Sequence, residues 1–464
     1  MEIVADLHLH SKYSRAVSPQ MVHSVMAAYA TQKGLNLLSA ADFTHPVWLK
    51  EIKTNLEEAG EGVYALKSQD KNSKTPKFIL STEIASIYKQ GDRVRRIHSL
   101  MFAPNLVVVD KINAELIKRG CNLGSDGRPI VGLSARNLLE MILSLDEKCF
   151  IIPCHVWTPH FGVYGSASGF DSLEEAFGDL SKNIYAVETG LSSDPDMNWQ
   201  IPELENRSIV SFSDAHSPAK MGREATVFEL EELSYEAIRE AIMQPMQMSI
   251  EQIAMSNEKN LSSKLHSPTS KILYTIEFYP EEGKYHFSGH RNCKISFGPE
   301  EIRQKGNICP VCHRKLTEGV LVRVQQLAHS DNLETAEKKT NNAGLQWYTD
   351  PTHKHPPFVK LVPLLEIIAE SLKSTVSSVK VKALYDKLCP GLDSELNIIL
   401  KTPIAEIEKA AGLRVAEGVK KVRGGDIVVV PGFDGEYGKV HIWESGKSSG
   451  SANSDKPPQL RIDF

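Results

Sequence analysis

The 464-residue sequence has no apolar run long enough to cross a bilayer, which excludes an architecture of hydrophobic membrane spans. Its opening, MEIVADLHLH, lacks both a basic leader and a long apolar stretch, so no signal peptide and a cytoplasmic location are expected. Cysteine is sparse. Of seven, Cys121, Cys149, Cys154 and Cys389 are scattered and only Cys293, Cys309 and Cys312 cluster, which excludes a disulfide framework and fits a reducing compartment. Positive charge is not in excess either. With 53 Lys and Arg against 58 Asp and Glu the net charge is −5, so any nucleic-acid contact must rest on local patches. Hydrophobic residues, by contrast, make up 41% of the chain, enough for real cores, and the length implies two or three domains.

Residues 1–255 alternate short β-like runs with helical stretches. Glu2–Asp6, Leu35–Asp42, Lys77–Ile87, Val94–Ala103, Cys149–Cys154, Ile184–Glu188 and Ser208–Asp214 read as strands. Ser18–Lys33 reads as a helix with Ser18 as N-cap, Pro19 at its first position and Gly34 as its stop. Further helices are expected over Leu106–Arg119, Ser134–Leu145, Asp171–Leu180 and Ser234–Met243. Such alternation predicts an α/β unit with a mainly parallel sheet, closed as a barrel related to the (β/α)8 type. A Ser-rich linker over 256–270 separates it from a compact segment over 271–330. Residues 331–356 read as irregular. A mainly helical domain over 357–443 ends in IVVVPGFDGEYGKVHIW, where DG signals a hairpin turn. Residues 444–464 read as a flexible tail.

Histidine and carboxylate recur at the ends of the strands. His8-Leu9-His10 follows the first strand, and alternation along an extended segment sends both imidazoles to one side, as two ligands of one metal require. Asp42 and His45, Glu83, His98, His155, and Asp214 with His216 follow or lie in later strands. Strand ends meet at one face of a barrel, so these nine donors are candidate ligands for two or three divalent ions. Asp214, Glu83, His8 and His10 are the candidate catalytic residues.

A second cluster lies downstream. His290-x2-Cys293-x15-Cys309-x2-Cys312 has the two-knuckle spacing of a structural zinc site. Around it, Arg291, Lys294, Arg303, Lys305, Arg314, Lys315 and Arg323 outnumber acidic residues and suggest a surface for phosphates.

The motifs DLHLHS, ADFTH, TEIA, IH, PCH and SDAH resemble the polymerase and histidinol phosphatase (PHP) superfamily over roughly residues 1–250. The resemblance implies a distorted (β/α)7 barrel with a trinuclear centre of zinc, manganese, iron or magnesium. It would place His8, His10, Glu83 and Asp214 around one ion, with Glu83 bridging to a second held by His98 and His155. His216 would serve a third with Asp42 or His45. At that third ion the chain departs from the common pattern, carrying Ala16 eight residues after the first histidine. Such centres hydrolyse phosphoesters through metal-activated water.

Over most of residues 1–443, IHSLMFAP, PCHVWTPHFGVYGSASGFDSLEEAF, GHRNC with CPVC, GVLVRV and DIVVVPGFDGEYGKVHIW resemble the endonuclease Q family of DNA-repair enzymes. This implies damaged DNA as the partner, a nucleoid-associated setting, and cleavage 5′ to uracil, hypoxanthine, xanthine or an abasic site, leaving 3′-hydroxyl and 5′-phosphate ends. Trp157, Phe161 and Tyr164 are candidate stacking faces, with Ser166 beside them, since base-inspecting enzymes take the base out of the stack. Lys12, Tyr13, Arg15, Arg95 and Arg96 are candidate strand contacts. In the tail, Gln459, Leu460, Ile462 and Phe464 match the spacing of peptides that dock on the bacterial sliding clamp. Two other readings stand beside this one: a small-molecule phosphatase of the PHP type, and a non-catalytic zinc-containing DNA-binding subunit.

Overall fold

The computed structural model describes residues 1–68, 75–245, 270–330 and 334–443. The 444–464 tail, with Gln459, Leu460, Ile462 and Phe464, lies outside them, as does all of the expected linker but Ser270.

The N-terminal half runs β1 (Glu2–Asp6), α1 (His23–Lys33), β2 (Leu37–Ser39), α2 (Pro46–Asn55), β3 (Leu56–Gly60) and β4 (Val63–Leu66). It continues with β5 (Lys77–Gln90), β6 (Arg93–Ala103), α3 (Leu106–Lys118), β7 (Ile130–Val131), α4 (Ala135–Leu145) and β8 (Phe150–Pro153). Then come α5 (Leu173–Phe177), β9 (Ala186–Glu188), α6 (Pro195–Trp199), β10 (Ser208–Val210), β11 (Ala225–Glu229) and a helix, α7, over residues 235–245. Strands β1, β2 and β5 pair in parallel, as do β9 and β10. β7 also pairs with β5 in parallel, but the other pairings depart from the mainly parallel expectation. β5 and β6 form one long antiparallel hairpin, β8 runs antiparallel to β6, and β11 antiparallel to β1. Only Gly91 and Asp92 separate β5 from β6, and a two-residue connection can join only antiparallel neighbours. The architecture is mixed α/β.

Two helices are shorter than their patterns suggest. α1 begins at His23, and the Ser18 N–H instead donates to the His216 carbonyl at 2.8 Å, which pins Ser18 to the loop after β10. After Phe177 the α5 segment tightens into a 3₁₀ turn over Gly178–Asn183.

The second half opens with β12 (Lys271–Glu277), which pairs with β11 and so carries the first sheet onward. Small loops follow, built on β13 (Ser288–His290), β14 (Ile295–Phe297), α8 (Pro299–Lys305) and α9 (Val320–Ala328). Residues expected to be irregular form a hairpin of β15 (Glu337–Thr340) and β16 (Gln346–Thr349), which joins the sheet through β17 (Phe358–Lys360). Here Trp347 and Tyr348 alternate against Tyr274 and Phe358, supplying the packing face that a polar reading of the segment overlooks.

Helices α10 (Leu364–Ser371), α11 (Val379–Gly391), α12 (Glu395–Leu400), α13 (Ile404–Ala411) and α14 (Leu413–Gly424) form the expected helical unit. β18 (Val428–Val430) and β19 (Lys439–His441) close the chain as a hairpin, with Asp434-Gly435 at its turn. A buried ion pair seats this unit on the first half. Lys33 Nζ of α1 lies 2.8 Å from Glu395 Oε2, which also accepts from Tyr385, while Glu395 Oε1 accepts the Leu364 N–H. Arg423 is 2% exposed, and its guanidinium donates to the carbonyls of Ile398, Ile399 and Thr402 around the end of α12 and to Ala343 in the β15–β16 turn.

Candidate metal centre and the cleft beside it

The strand-end donors converge. Leu9 bridges Ala215 in parallel, laying the segment after β1 beside the one after β10. His10 Nε2 thereby comes within 2.9 Å of Asp214 Oδ1, and His8 Nε2 within 3.7 Å. Glu83 projects from β5 between two groups. Its Oε2 lies 3.3 Å from His10 Nε2 and 3.7 Å from His8 Nε2. Its Oε1 lies 2.5 Å from His98 Nδ1 and 3.3 Å from His155 Nε2. One carboxylate thus faces two donor sets, His8–His10–Asp214 and His98–His155, each close enough to close around one cation.

Charge favours a cation there. Burial opposes ionisation of Glu83 and Asp214, yet His98 and Arg128 beside the one, and His8 and His10 beside the other, hold both carboxyls well below the usual range. Burial likewise opposes charge on His8 and His10, but Glu188 and Asp214 around the first, and Asp214 and Asp42 around the second, lift both imidazoles well above theirs. For His98 burial prevails and pushes the imidazole down to about 4. His8 Nε2, 3.7 Å from both Glu83 and Asp214, is buried without a hydrogen-bond partner among the described residues.

Neighbours hold the donors in place. His8 Nδ1 donates to Glu188 Oε1 at 2.8 Å, and Glu188 Oε2 accepts the His155 N–H at 2.8 Å. His155 Nδ1 pairs with the Thr158 hydroxyl at 2.8 Å. Asp42 serves the same purpose. Its carboxylate accepts from the Ser11 N–H, the Ser14 hydroxyl and His10 Nδ1, so it orients His10 from behind. Gly190 lies against His155, and a Cβ there would stand 2.3 Å from His155 Cβ. Asp42, His155 and Asp214 all have positive φ (34°, 30° and 47°), sparsely populated backbone of the kind found where a site over-determines the chain.

The expected third shell does not assemble. His45 caps α2 by accepting the Trp48 N–H at 3.4 Å and stacks on Tyr13 at 4.5 Å. His216 donates to the Asp214 carbonyl at 2.9 Å, its ring 4.8 Å from that of His10. Among the described residues neither joins a group of three donors, nor does Asp42.

A cleft of about 630 Å³ opens over Asp214, His98 and His155. Phe161 reaches it and packs 4.2 Å from His98. Trp157 and Tyr164 do not, being core residues whose polar atoms are taken by Asn198 and Glu203. Ser166 is half-buried and does not line the cleft. Arg95 lies over Phe170 at 4.0 Å and donates to the Gly169 carbonyl, tying down the loop. Arg323 does likewise through Tyr164, Phe170 and Asp171, so it faces inward. Lys12 and Tyr13 share Glu51, whereas Arg15 is exposed and Arg96 half-buried. The sequence reading missed Glu188 and Arg128 at the centre, and Lys220, Arg223, Lys284, Tyr285 and Tyr437 around the cleft. No motif marks these residues. Arg128 sits in a loop, and Lys284, Tyr285 and Tyr437 meet the first-half residues only through the pairing of the two halves.

The downstream cluster also forms. Ligand atoms of His290, Cys293, Cys309 and Cys312 lie within 4.8 Å of one another. The Asp434 carboxylate of the β18–β19 turn accepts the Arg291 N–H, clasping the first knuckle. Arg303 and Lys305 pair with Glu300 and Glu301, while Arg291, Lys294, Arg314 and Lys315 are exposed.

Residues 363–426 match the family model described as the MJ0043 C-terminal domain. The protein MJ0043 of Methanocaldococcus jannaschii is 29% identical over 286 residues, 61% of this chain, which spans about a third (31%) of that relative's length. YqxK of Bacillus subtilis is 26% identical over 95% of this chain and 99% of its own. Among solved structures, the lesion-specific endonuclease PfuEndoQ of Pyrococcus furiosus superposes with a TM-score of 0.75 at 30% identity, covering 95% of this chain and 96% of the other. An endonuclease Q bound to a 27-mer duplex with an abasic lesion at its active site gives 0.76 at 30% identity, over 96% and 97%.

Proposed function

Because this chain belongs to the endonuclease Q family, we propose that it is a DNA-repair endonuclease acting on damaged duplexes. It cuts the phosphodiester 5′ to a deaminated base (uracil, hypoxanthine or xanthine) or an abasic site, leaving 3′-hydroxyl and 5′-phosphate ends. The observation that carries this reading is Glu83, whose two oxygens each face a separate set of nitrogen and carboxylate donors at the floor of the cleft.

The donor set fits divalent ions such as zinc, manganese or iron, and the partnerless, buried His8 Nε2 is the atom that most needs one. His8, His10, Glu83 and Asp214 would hold the first ion, and Glu83, His98 and His155 the second. We read two sites rather than three, with Asp42 orienting His10. Ions held there would make a water acidic near neutral pH and would neutralise charge on the reacting phosphate. Water oxygen then bonds to phosphorus, the bond from phosphorus to O3′ breaks, and O3′ leaves with the electron pair and takes a proton. Asp214 has a side chain 26% exposed and faces the cleft, where the attacking water must stand. Glu188, Thr158 and Asp42 hold His8, His155 and His10 in orientation throughout.

The cleft has the volume of a small-molecule site, enough for an extruded nucleotide. Phe161, Tyr285 and Tyr437 offer faces for its base, while Lys220, Arg223 and Lys284 offer charge for flanking phosphates. The first half is read as a distorted barrel of the PHP kind. The parallel runs β1–β2–β5 and β9–β10, with donors at their ends, support this. His290, Cys293, Cys309 and Cys312 would hold a structural zinc.

The test is cleavage of end-labelled duplexes carrying uracil, hypoxanthine or an abasic site, against undamaged duplex and a chromogenic phosphate monoester. We expect one cut 5′ to each lesion, lost on chelation and regained with added divalent metal. Hydrolysis of the monoester alone would instead make the protein a small-molecule phosphatase, and DNA binding without any cleavage would make it a non-catalytic subunit.

A further inference from the structure

We propose that Arg128 grips the scissile phosphate, and that its contact with Glu83 is a resting position that the substrate's phosphate takes over. The inference rests on the nuclease reading above and adds the group that receives the anion.

Arg128 Nη1 lies 3.0 Å from Glu83 Oε2, the oxygen shared with His8 and His10, and its side chain lines the cleft. This is its one hydrogen bond from the side chain among the described residues, so most of the guanidinium's five N–H groups have no acceptor there, and the side chain, 23% exposed, lines the cleft. A planar fork of that kind matches two oxygens of a phosphate.

The loop that delivers Arg128 is held at both ends. The Ala85 N–H of β5 donates to the Pro129 carbonyl at 3.1 Å, the Gly127 N–H to the Tyr13 carbonyl at 3.1 Å, and the Arg128 N–H to Asp126 at 3.0 Å. Gly127 presses so closely on the Asp42 network that a Cβ would stand 2.3 Å from both Asp42 Oδ2 and Ser14 Oγ. Only glycine fits there. The arginine is thus carried on a loop locked to the same network that orients His10, which is the preorganisation expected of a group that stabilises charge during reaction.

Charge balance points the same way. Glu83 and Asp214 are the two carboxylates of the donor sets. With Glu188 and Asp42 behind His8 and His10 the centre holds four carboxylates, which two dications balance, so the guanidinium beside Glu83 is a surplus positive charge and its position is favourable chiefly when an anion shares it. A phosphodiester oxygen is such an anion. As water attacks and the bond from phosphorus to O3′ breaks, charge builds on the non-bridging oxygens that Arg128 would hold.

The experiment compares wild type with Arg128→Met and Arg128→Lys, all fully metal-loaded. Three quantities are read: metal per chain, the dissociation constant for inorganic phosphate, and that for an abasic duplex with either a native or a methylphosphonate linkage at the scissile position. We expect unchanged metal content in both variants. Arg128→Met should bind phosphate and the native duplex about tenfold to a hundredfold more weakly, with Arg128→Lys between. The methylphosphonate should weaken wild type more than Arg128→Met, since the variant has already lost the contact. Loss of metal in Arg128→Met, or equal weakening by the methylphosphonate in both proteins, overturns the proposal. Should wild type ignore damaged DNA, the nuclease reading fails by itself. The phosphate comparison then still decides whether Arg128 is an anion site.

Discussion

Glu188 illustrates how much of this centre is built behind the ligands. One carboxylate holds the His8 ring through Nδ1 and the His155 backbone through its N–H, so it fixes a member of each donor set at once. Glu188→Gln is therefore expected to weaken metal binding about tenfold to a hundredfold with little loss of fold. Competitive titration against a chelator checks this, and unchanged affinity would refute the role. Gly190→Ala should displace His155, because its Cβ has no room, and loss of the second ion should precede any fall in melting temperature. At this scale the sequence was legible where a histidine or carboxylate follows or lies within an expected strand, as at His8, His10, Glu83, His98, His155 and Asp214. Glu188 met the same criterion, as the carboxylate ending the expected strand Ile184–Glu188, and was overlooked because no histidine stands beside it in sequence; Arg128 lies in a loop and carries no pattern. Trp157 and Tyr164 misled because glycines around them look like an exposed loop, whereas Asn198 and Glu203 receive their polar atoms inside the core.

Among elements, α12 and α14 depend on a single side chain. Arg423 has no carboxylate partner among the described residues and is held by the negative end of α12. Arg423→Met would leave four carbonyls without their donor and should cost ~3 kcal/mol or more, read as a lower urea midpoint. The knuckle loops rest on a cluster of four ligand atoms. Cys312→Ser is expected to release one zinc per chain and to lower stability. Any ions held at the Glu83 centre should stay bound, and metal analysis before and after gel filtration separates the two. Elements with strong periodicity or turn chemistry were readable, including the Asp434-Gly435 hairpin and the C-terminal helices. The β5–β6 hairpin was not foreseen as a pair, since two adjacent apolar runs look the same whichever way the second one turns.

For the molecule as a whole, the decisive join is β11 with β12. In their register Ala225 faces Ile276, so Glu224 stands opposite Glu277, and both are fully buried. Among the described residues neither Glu224 side-chain oxygen is within hydrogen-bond reach of a partner, whereas Glu277 accepts from Ser211, Thr275 and Thr189. Burial, reinforced by the facing carboxyl, raises Glu224 well above the usual range, and burial raises Glu277 to about 7. Raised carboxyls keep their protons in the folded state and lose them on unfolding. Their contribution is complete below about pH 4.5, falls as pH rises, and for Glu277 is gone above about 7. The melting temperature of wild type should thus fall from pH 5 to pH 8 more steeply than that of Glu224→Gln/Glu277→Gln. Parallel profiles would exclude the pair as a source of pH sensitivity. The sequence could not show this, because the two glutamates are more than fifty residues apart and become neighbours only through the join.

That join also bears on how the protein comes into being. Every donor of the candidate centre precedes residue 217, yet the strand covering β11 lies at 271–277, and its own neighbour at 358–360. On the ribosome, the first half must wait with a bare row of N–H and carbonyl groups that another nascent chain can pair with. The finished sheet escapes this hazard because its last strand, β15, carries Glu337, Lys338 and Lys339, all exposed. Residues 1–245 expressed alone should collect in the insoluble fraction, so a frameshift in the second half would leave an aggregate in place of the folded protein.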